Sequence, residues 1–208
     1  MYSTMVAVLI TSTCFAHDPY YEAMKTNIAA VYNAPDIGAL QRAVNVFEKI
    51  GAAEPAKWEP QYYAAFGYVM MATRETDMKK KDAYLDGAMR AVEKAKAVVP
   101  AESEIMALEA FIYMMRITVD PASRGAELAP VAMQAFRKAT ALNPENPRAL
   151  ALMARMQYGS AQFFGASTAE ACALVEKALT KFENYEPENP LAPTWGKPMA
   201  ESLKQQCQ

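Results

Sequence analysis

The amino-acid sequence predicts an all-α protein made of repeated helical hairpins. A pattern of Ala, three residues, Phe or Val, one residue and Lys occurs four times, ending at Lys49, Lys94, Lys138 and Lys177. The alanine and the bulky residue four positions later lie on one stripe of a helix, where a second helix can approach closely. Successive lysines are 45, 44 and 39 residues apart, the repeat length of a helical-hairpin solenoid. Only 8 glycines occur in 208 residues and β-branched runs are scarce, which disfavours a sheet.

Eight helices are predicted in four pairs, each an A helix followed by a B helix. Pro35, Ser103, Asn146 and Ser167 stand where helices are expected to start, because these residue types favour the first turn or the N-cap. The predicted pairs are 20–32 with 35–50, 60–74 with 81–98, 103–117 with 126–142, and 147–158 with 168–182. A proline-rich stretch then leads into a ninth helix ending at Gln206, which we expect to cap the end of the array.

The segment 132–147 resembles the second helix and closing turn of a tetratricopeptide repeat. The resemblance covers nearly all of residues 17–208, with small residues at matching places in the helices and a proline after each B helix. The matching residues are Gly67, Ala110 and Ala154 in A helices, Ala43, Ala88, Ala132 and Ala171 in B helices, and Pro55, Pro100, Pro144 and Pro187. It implies a right-handed α-solenoid of about four hairpins plus a C-terminal capping helix. No linker or composition break divides residues 17–208, so we expect a single domain.

The repeat unit here is longer than the family's standard unit of about 34 residues. We expect the extra residues in longer A-to-B connections, at 75–81, 119–127 and 159–168.

The resemblance also implies a concave groove that binds a protein or peptide partner. The A helices, aligned on their small residues, place six side chains along that face, and Arg148 is assigned to it as a seventh. These are Tyr68, Met71, Phe111, Met114, Arg148, Arg155 and Tyr158. Aromatic residues, Met and Arg are enriched at binding hot spots because they bury much area and adapt to a partner. The alignment leaves open that Tyr68 and Phe111 pack between repeats instead.

An abundance of methionine indicates a second possible function. The chain has 14 methionines, and the pairs at 70–71 and 114–115 fall at equivalent places in two A helices. A pocket of thioether and aromatic side chains would suit a carrier of a small molecule or of copper. Core packing explains the same residues. A deep cavity near Met71 and Met114 would favour the carrier, and an open groove would favour the peptide-binding scaffold.

Composition and motifs argue against other classes of protein. The net charge is −2 and no basic stripe occurs, which argues against nucleic acid as a partner. The single histidine, His17, has no recognisable nucleophile or metal-ligand arrangement around it, and no glycine-rich phosphate loop is present. We therefore predict a non-enzyme with no catalytic residues, no metal site and no cofactor. Monomer and homo-oligomer both remain open.

The apolar run 5–10, followed by Ala16 and then polar residues, resembles a secretory signal. We expect residues 1–16 to be removed during export to the periplasm or cell exterior. A frayed apolar first helix is the alternative, because no Lys or Arg precedes Lys25. The run is too short to span a membrane.

Export changes the interpretation of the cysteines. Removing residues 1–16 takes away Cys14 and leaves Cys172 and Cys207, an even pair that suggests a disulfide in an oxidising compartment. Each lies about ten residues from the turn before the last helix, so the two should be level across an antiparallel helix pair.

Overall fold

The computed structural model describes residues 18–187 and 189–208. Throughout that part of the chain the regular elements are α-helices, and no strand occurs. In order they are α1 Pro19–Tyr32, α2 Ile37–Ala53, α3 Glu59–Arg74, α4 Met78–Val98, α5 Ser103–Val119, α6 Pro121–Leu142, α7 Pro147–Phe164, α8 Ala169–Glu183 and α9 Lys197–Gln206. The predicted fold of four hairpins and a capping helix is confirmed. The predicted signal segment and His17 lie outside the described residues.

The odd-numbered helices α1 to α7 form the inner layer of the solenoid. Each A helix pairs with the B helix that follows it, and each B helix packs against the next A helix. Successive A helices also contact one another. Among the described residues, no B helix comes within 8 Å of the next B helix in Cα–Cα distance. The array therefore curves with its A helices inside, and their side chains line the concave face.

The three long A-to-B connections predicted from the sequence are wrong, because the helices take up the extra residues. α4 begins directly after Asp77, whose carboxylate accepts hydrogen bonds from the N–H groups of Lys79 and Lys80 at 2.9 and 3.0 Å. α6 begins directly after Asp120, which accepts from the N–H of Ser123 at 3.2 Å. An aspartate N-cap satisfies donors that would otherwise be unpaired, so each helix starts earlier than predicted.

α7 is also longer than predicted, since it continues through Gly159 to Phe164. Gly165 ends it in a left-handed conformation with φ of 64°, and the N–H of Gly165 bonds to the carbonyl of Gln162 at 3.3 Å. Only glycine adopts this conformation readily, which fixes the stop at that position. Asn146 caps the start of α7 as predicted.

Two other predicted N-caps are wrong by one residue. Glu102 and Thr168, rather than Ser103 and Ser167, immediately precede α5 and α8. The Ser103 hydroxyl instead donates to the carbonyl of Ala139 at 2.9 Å, which ties α5 to α6.

The small residues matched to the repeat family lie in the helix–helix contacts. Gly67 is the tightest case: a Cβ built on it would stand 2.6 Å from Cγ2 of Val44 in α2. Val44 is fully buried and β-branched, so its side chain has little freedom to move away. The close approach of α2 and α3 therefore depends on the missing side chain of Gly67.

Replacing Gly67 with alanine is expected to lower the free energy of unfolding by about 1–2 kcal/mol. Overpacking costs more than the helix gains when alanine replaces glycine. Gly125 in α6 is the matched control, because a Cβ there would meet nothing within 4 Å. Gly125→Ala should raise stability slightly, by about 0.5–1 kcal/mol. Urea unfolding followed by circular dichroism measures both, and equal effects of the two substitutions would contradict the prediction.

The capping helix α9 packs against α7 and α8 and is joined to α8 by a disulfide. Cys172 and Cys207 are bonded with their Cα atoms 5.8 Å apart, which confirms the predicted pair. A small separate core lies beneath it and includes Val175 and Leu203. None of the helices in the described ranges is both long and apolar enough to cross a lipid bilayer.

Candidate functional site

The centre of the concave face is filled by the chain's own segment between α8 and α9. We call residues 185–187 and 189–196 of this segment the strap. The Trp195 ring stacks on Phe66 of α3 with centroids 4.8 Å apart and lies 6.2 Å from the Phe111 ring of α5. The indole N–H of Trp195 donates to the hydroxyl of Tyr62 at 3.0 Å. The strap thus places a flat aromatic side chain between two A helices.

Tyrosines of the A helices hold the strap through its backbone. The Tyr63 hydroxyl donates to the carbonyl oxygen of Leu191 at 2.7 Å, and the N–H of Thr194 donates to the Tyr32 hydroxyl at 3.2 Å. Burial raises the pKa of Tyr63 far above its usual value, so this donor keeps its proton. This part of the concave face therefore already holds a non-helical segment of its own chain through bonds to that segment's backbone.

A buried ion pair lies beneath the strap. Arg148 of α7 is fully buried and donates to Glu104 of α5 through two bonds, Nε to Oε2 at 2.8 Å and Nη2 to Oε1 at 2.6 Å. The guanidinium also lies 4.4 Å from the ring centroid of Tyr185 in the strap. Burial alone would lower the pKa of Arg148, but the bonds and charge of Glu104 outweigh it, and the pKa is raised. Nη1 has no hydrogen-bond partner among the described residues.

A shallow depression adjoins Trp195 where the strap ends. It encloses only about 10 Å³, roughly the space for one water molecule. Its lining residues are Arg148, Ala151, Leu152, Arg155, Trp195, Gly196 and Met199. Gly196 has φ of 109°, and a Cβ there would stand 3.0 Å from Cγ of Arg148, so the strap turns into α9 against the arginine stem. It is not the deep cavity near Met71 and Met114 that was expected of a carrier, and any larger molecule would lie over this depression rather than within it.

Arg155 differs from several other cations of the protein because it has no partner among the described residues. Its side chain is exposed at the edge of the depression, and it forms no hydrogen bond or ion pair with that part of the chain. Lys96, Arg116 and Arg124, by contrast, each pair with a carboxylate. The concave face therefore offers an uncommitted positive charge next to apolar side chains.

Methionines continue the apolar surface beyond Trp195. Met70 and Met115 each lie one helical turn after a ring that contacts Trp195, on the same face of α3 and α5. Met199 of α9 lines the depression itself. All three are half-buried. Thioether side chains adapt to the shape of a ligand and contact aromatic rings favourably.

The seven residues predicted to line a groove fall into three environments. Met71, Phe111 and Arg148 are buried, so their surfaces face other parts of the molecule. Tyr68 packs away from the strap, because its hydroxyl donates to Glu48 of α2 at 3.0 Å and its ring lies against Gly87 of α4. Phe66, two residues earlier, occupies the position on the concave face that was expected for Tyr68. The alternative that Tyr68 and Phe111 pack internally describes their positions better.

Three of the predicted residues remain. The Tyr158 hydroxyl donates to the carbonyl of Gln206 at 2.9 Å, so Tyr158 serves the contact with the capping helix. Met114 is half-buried against the main core. Arg155 alone among the seven is exposed on the concave face. The binding role of all seven residues stays a prediction, and the structure places Phe111, Arg148 and Arg155 together around Trp195.

Several residues of the site are not predicted from the sequence, chiefly Trp195, Phe66, Tyr62 and Glu104. Trp195 reads in the sequence only as part of the start of the last helix. Its location on the concave face depends on contacts with residues more than 100 positions away in sequence, such as Tyr62. No signal within one repeat reveals such a contact.

Within the described residues, no group of three or more His, Cys, Asp or Glu side chains is arranged to hold a metal ion.

The curved array of helical pairs has a tetratricopeptide-like repeat fold. Among solved structures, the chain is similar to the HusA haemophore from Porphyromonas gingivalis, with 26% identity and a TM-score of 0.81 over 92% of this chain and 94% of that one. It is also similar in fold to TTC0263, a thermophilic TPR protein in Thermus thermophilus, with 18% identity, a TM-score of 0.56 and coverage of 78% and 82%. No protein-family model and no curated protein matches.

Proposed function

We propose that this protein is a non-catalytic carrier that binds a flat, apolar ring compound bearing carboxylates, haem being the example. One observation carries the proposal: the guanidinium of Arg155, which has no partner in the described ranges, adjoins an apolar depression formed by Trp195 and Met199. A carboxylate on such a ligand would pair with Arg155, and one edge of the ring would pack against the apolar side chains. Likeness to a haemophore over nearly the whole chain supports the same class of ligand.

The types of side chain available define how such a ligand would be held. The only histidine of the chain is His17, outside the described residues. The described surface instead offers thioethers and aromatic rings, with the thioethers at Met70, Met115 and Met199. Recognition in this proposal therefore depends on the ring face and the carboxylates rather than on a histidine ligand to iron. Copper bound by thioethers stays the further alternative predicted from the sequence.

Peptide binding in the groove is the second candidate function. Its support is the strap, which the A helices hold by bonds to the backbone at Leu191 and Thr194. A partner peptide using the same bonds would have to displace the strap. A location outside the cytoplasm is part of both proposals, because the disulfide suits an oxidising compartment.

Haem titration followed by the absorbance of the bound ring tests the carrier proposal. Arg155→Ala should weaken binding by about tenfold or more, because a charged hydrogen bond is lost. Arg137→Ala is the matched control, since Arg137 is an exposed arginine of α6 in the outer layer. Failure of the wild-type protein to bind haem saturably would overturn the proposal. Equal weakening by the two substitutions would show a general charge effect instead of a site at Arg155.

A further inference from the structure

Two phenylalanines at the end of α7 project into solvent instead of packing in the core. Phe163 and Phe164 are 76% and 77% exposed, the highest values among large apolar side chains of the described residues. Their rings contact only each other among aromatic side chains of that part of the chain, at 5.0 Å between centroids. No charged residue occurs between positions 156 and 169. Neighbouring exposed phenylalanines in an uncharged stretch indicate a contact with another molecule.

The two side chains are attached at different angles around the axis of α7, although their rings touch. Phe163 comes eleven residues after Leu152, which lines the depression. Eleven residues make three full turns plus about 20° and advance the helix by about 16 Å, so the two side chains leave α7 on nearly the same side. Phe164 projects a further 100° or so around the axis. Phe163 therefore faces the side of α7 that carries the depression, and Phe164 does not.

Gly159 lies between Arg155 and Phe163 and leaves a notch. The three residues are spaced four apart, so each lies about one turn, or 6 Å, from the next. A Cβ on Gly159 would meet no atom within 4 Å, which shows that this stretch of α7 is open to solvent. A flat molecule can approach the helix backbone here with a cation at one end and an aromatic ring at the other.

We infer that the ligand lies lengthwise along α7, with a carboxylate on Arg155, its ring over Gly159 and its far edge against Phe163. This inference rests on the proposed function and assigns the binding surface of the same carrier. This arrangement requires a rigid apolar ring long enough to reach both Arg155 and Phe163, whose Cα atoms are about 12 Å apart along the helix axis. Phe163 forms the apolar wall at the open end of the site. Trp195 and Met199 form the opposite end.

The test compares neighbouring residues of equal chemistry, with haem as the probe. Phe163→Ala should weaken haem binding by about tenfold, because an aromatic contact with the ring is lost. Phe164→Ala removes an equally exposed ring that contacts Phe163 but not the ligand, so it should weaken haem binding clearly less than Phe163→Ala does. A larger effect of Phe164→Ala, or equal effects of the two, would overturn the inference.

Filling the notch gives an independent measurement. Gly159→Leu places a side chain in open space, so the protein should stay folded while haem binding falls by at least about tenfold. Gly125→Leu, which also points into open space but on α6, is the control and should bind normally. If the wild-type protein binds haem and Gly159→Leu binds equally well, the inference is wrong and the proposed function stands. If the wild-type protein binds no haem, both fail.

Discussion

Replacing Glu104 with alanine is expected to lower the free energy of unfolding by about 3–5 kcal/mol, because it breaks a buried ion pair from one side. The side chain of Arg148 is 0% exposed and that of Glu104 is 11% exposed. Removing the carboxylate leaves a buried guanidinium that cannot lose its charge within the pH range of a folded protein. The strap should loosen as well, because Tyr185 packs on the same guanidinium.

A double substitution distinguishes the loss of stability caused by an unpaired buried charge from the contribution of the ion pair itself to the free energy of unfolding. Glu104→Leu with Arg148→Met should recover most of the lost stability, because neither charge then remains buried. The exposed pair of Lys181 and Glu145 is the control, and Glu145→Ala should cost at most about 1 kcal/mol. Urea unfolding at constant pH measures the wild-type protein and all three variants. A loss for Glu104→Ala no larger than that of the control would contradict the prediction.

Reducing the disulfide is expected to cost about 3–4 kcal/mol. Cys172 and Cys207 are 35 residues apart, and the bond restricts the unfolded chain over that whole loop. The loop contains the strap and α9, so the loss should begin at the capping end of the solenoid. The double substitution of both cysteines by serine should shift the urea midpoint by the same amount as a reductant acting on the wild-type protein.

Treating the double variant with the same reductant provides the control. No further change is expected, which separates the effect of this bond from any effect through Cys14. An unchanged midpoint when the wild-type protein is reduced would show that the cap is held by packing alone, through residues such as Leu203 and Tyr158.

The sequence predicted the fold well because the repeat pattern acts within each hairpin. Small residues recurring at fixed places, such as Gly67 and Ala132, identify contacts between neighbouring helices. Helix starts were less well predicted, because Asp77 and Asp120 lie in stretches that read as loops although aspartate is a favourable N-cap. The disulfide was predicted because the length of the last two helices places the two cysteines level with each other.

The site could not be predicted in the same way, because it depends on long-range contacts. Arg148 looks like a surface cation in the sequence, and only Glu104, 44 residues away, makes its burial possible. Helical phase is a second source of error. Tyr68 and Phe66 are two residues apart, yet Phe66 contacts Trp195 while Tyr68 contacts α4, a difference that repeat alignment did not resolve.

A peptide that bound this surface would have to compete with the strap. Its two ends are fixed, one by α8 and the other by α9 and the disulfide, so it cannot diffuse away when it lifts. A short tethered segment presents itself at an effective concentration on the order of millimolar. A free peptide with the same affinity as the strap therefore has to be present above this millimolar concentration before it occupies the same bonds. A peptide with a higher affinity needs a proportionately lower concentration. Cutting the chain within the strap would remove this advantage and should make the inner surface accessible to ligands that the intact protein excludes.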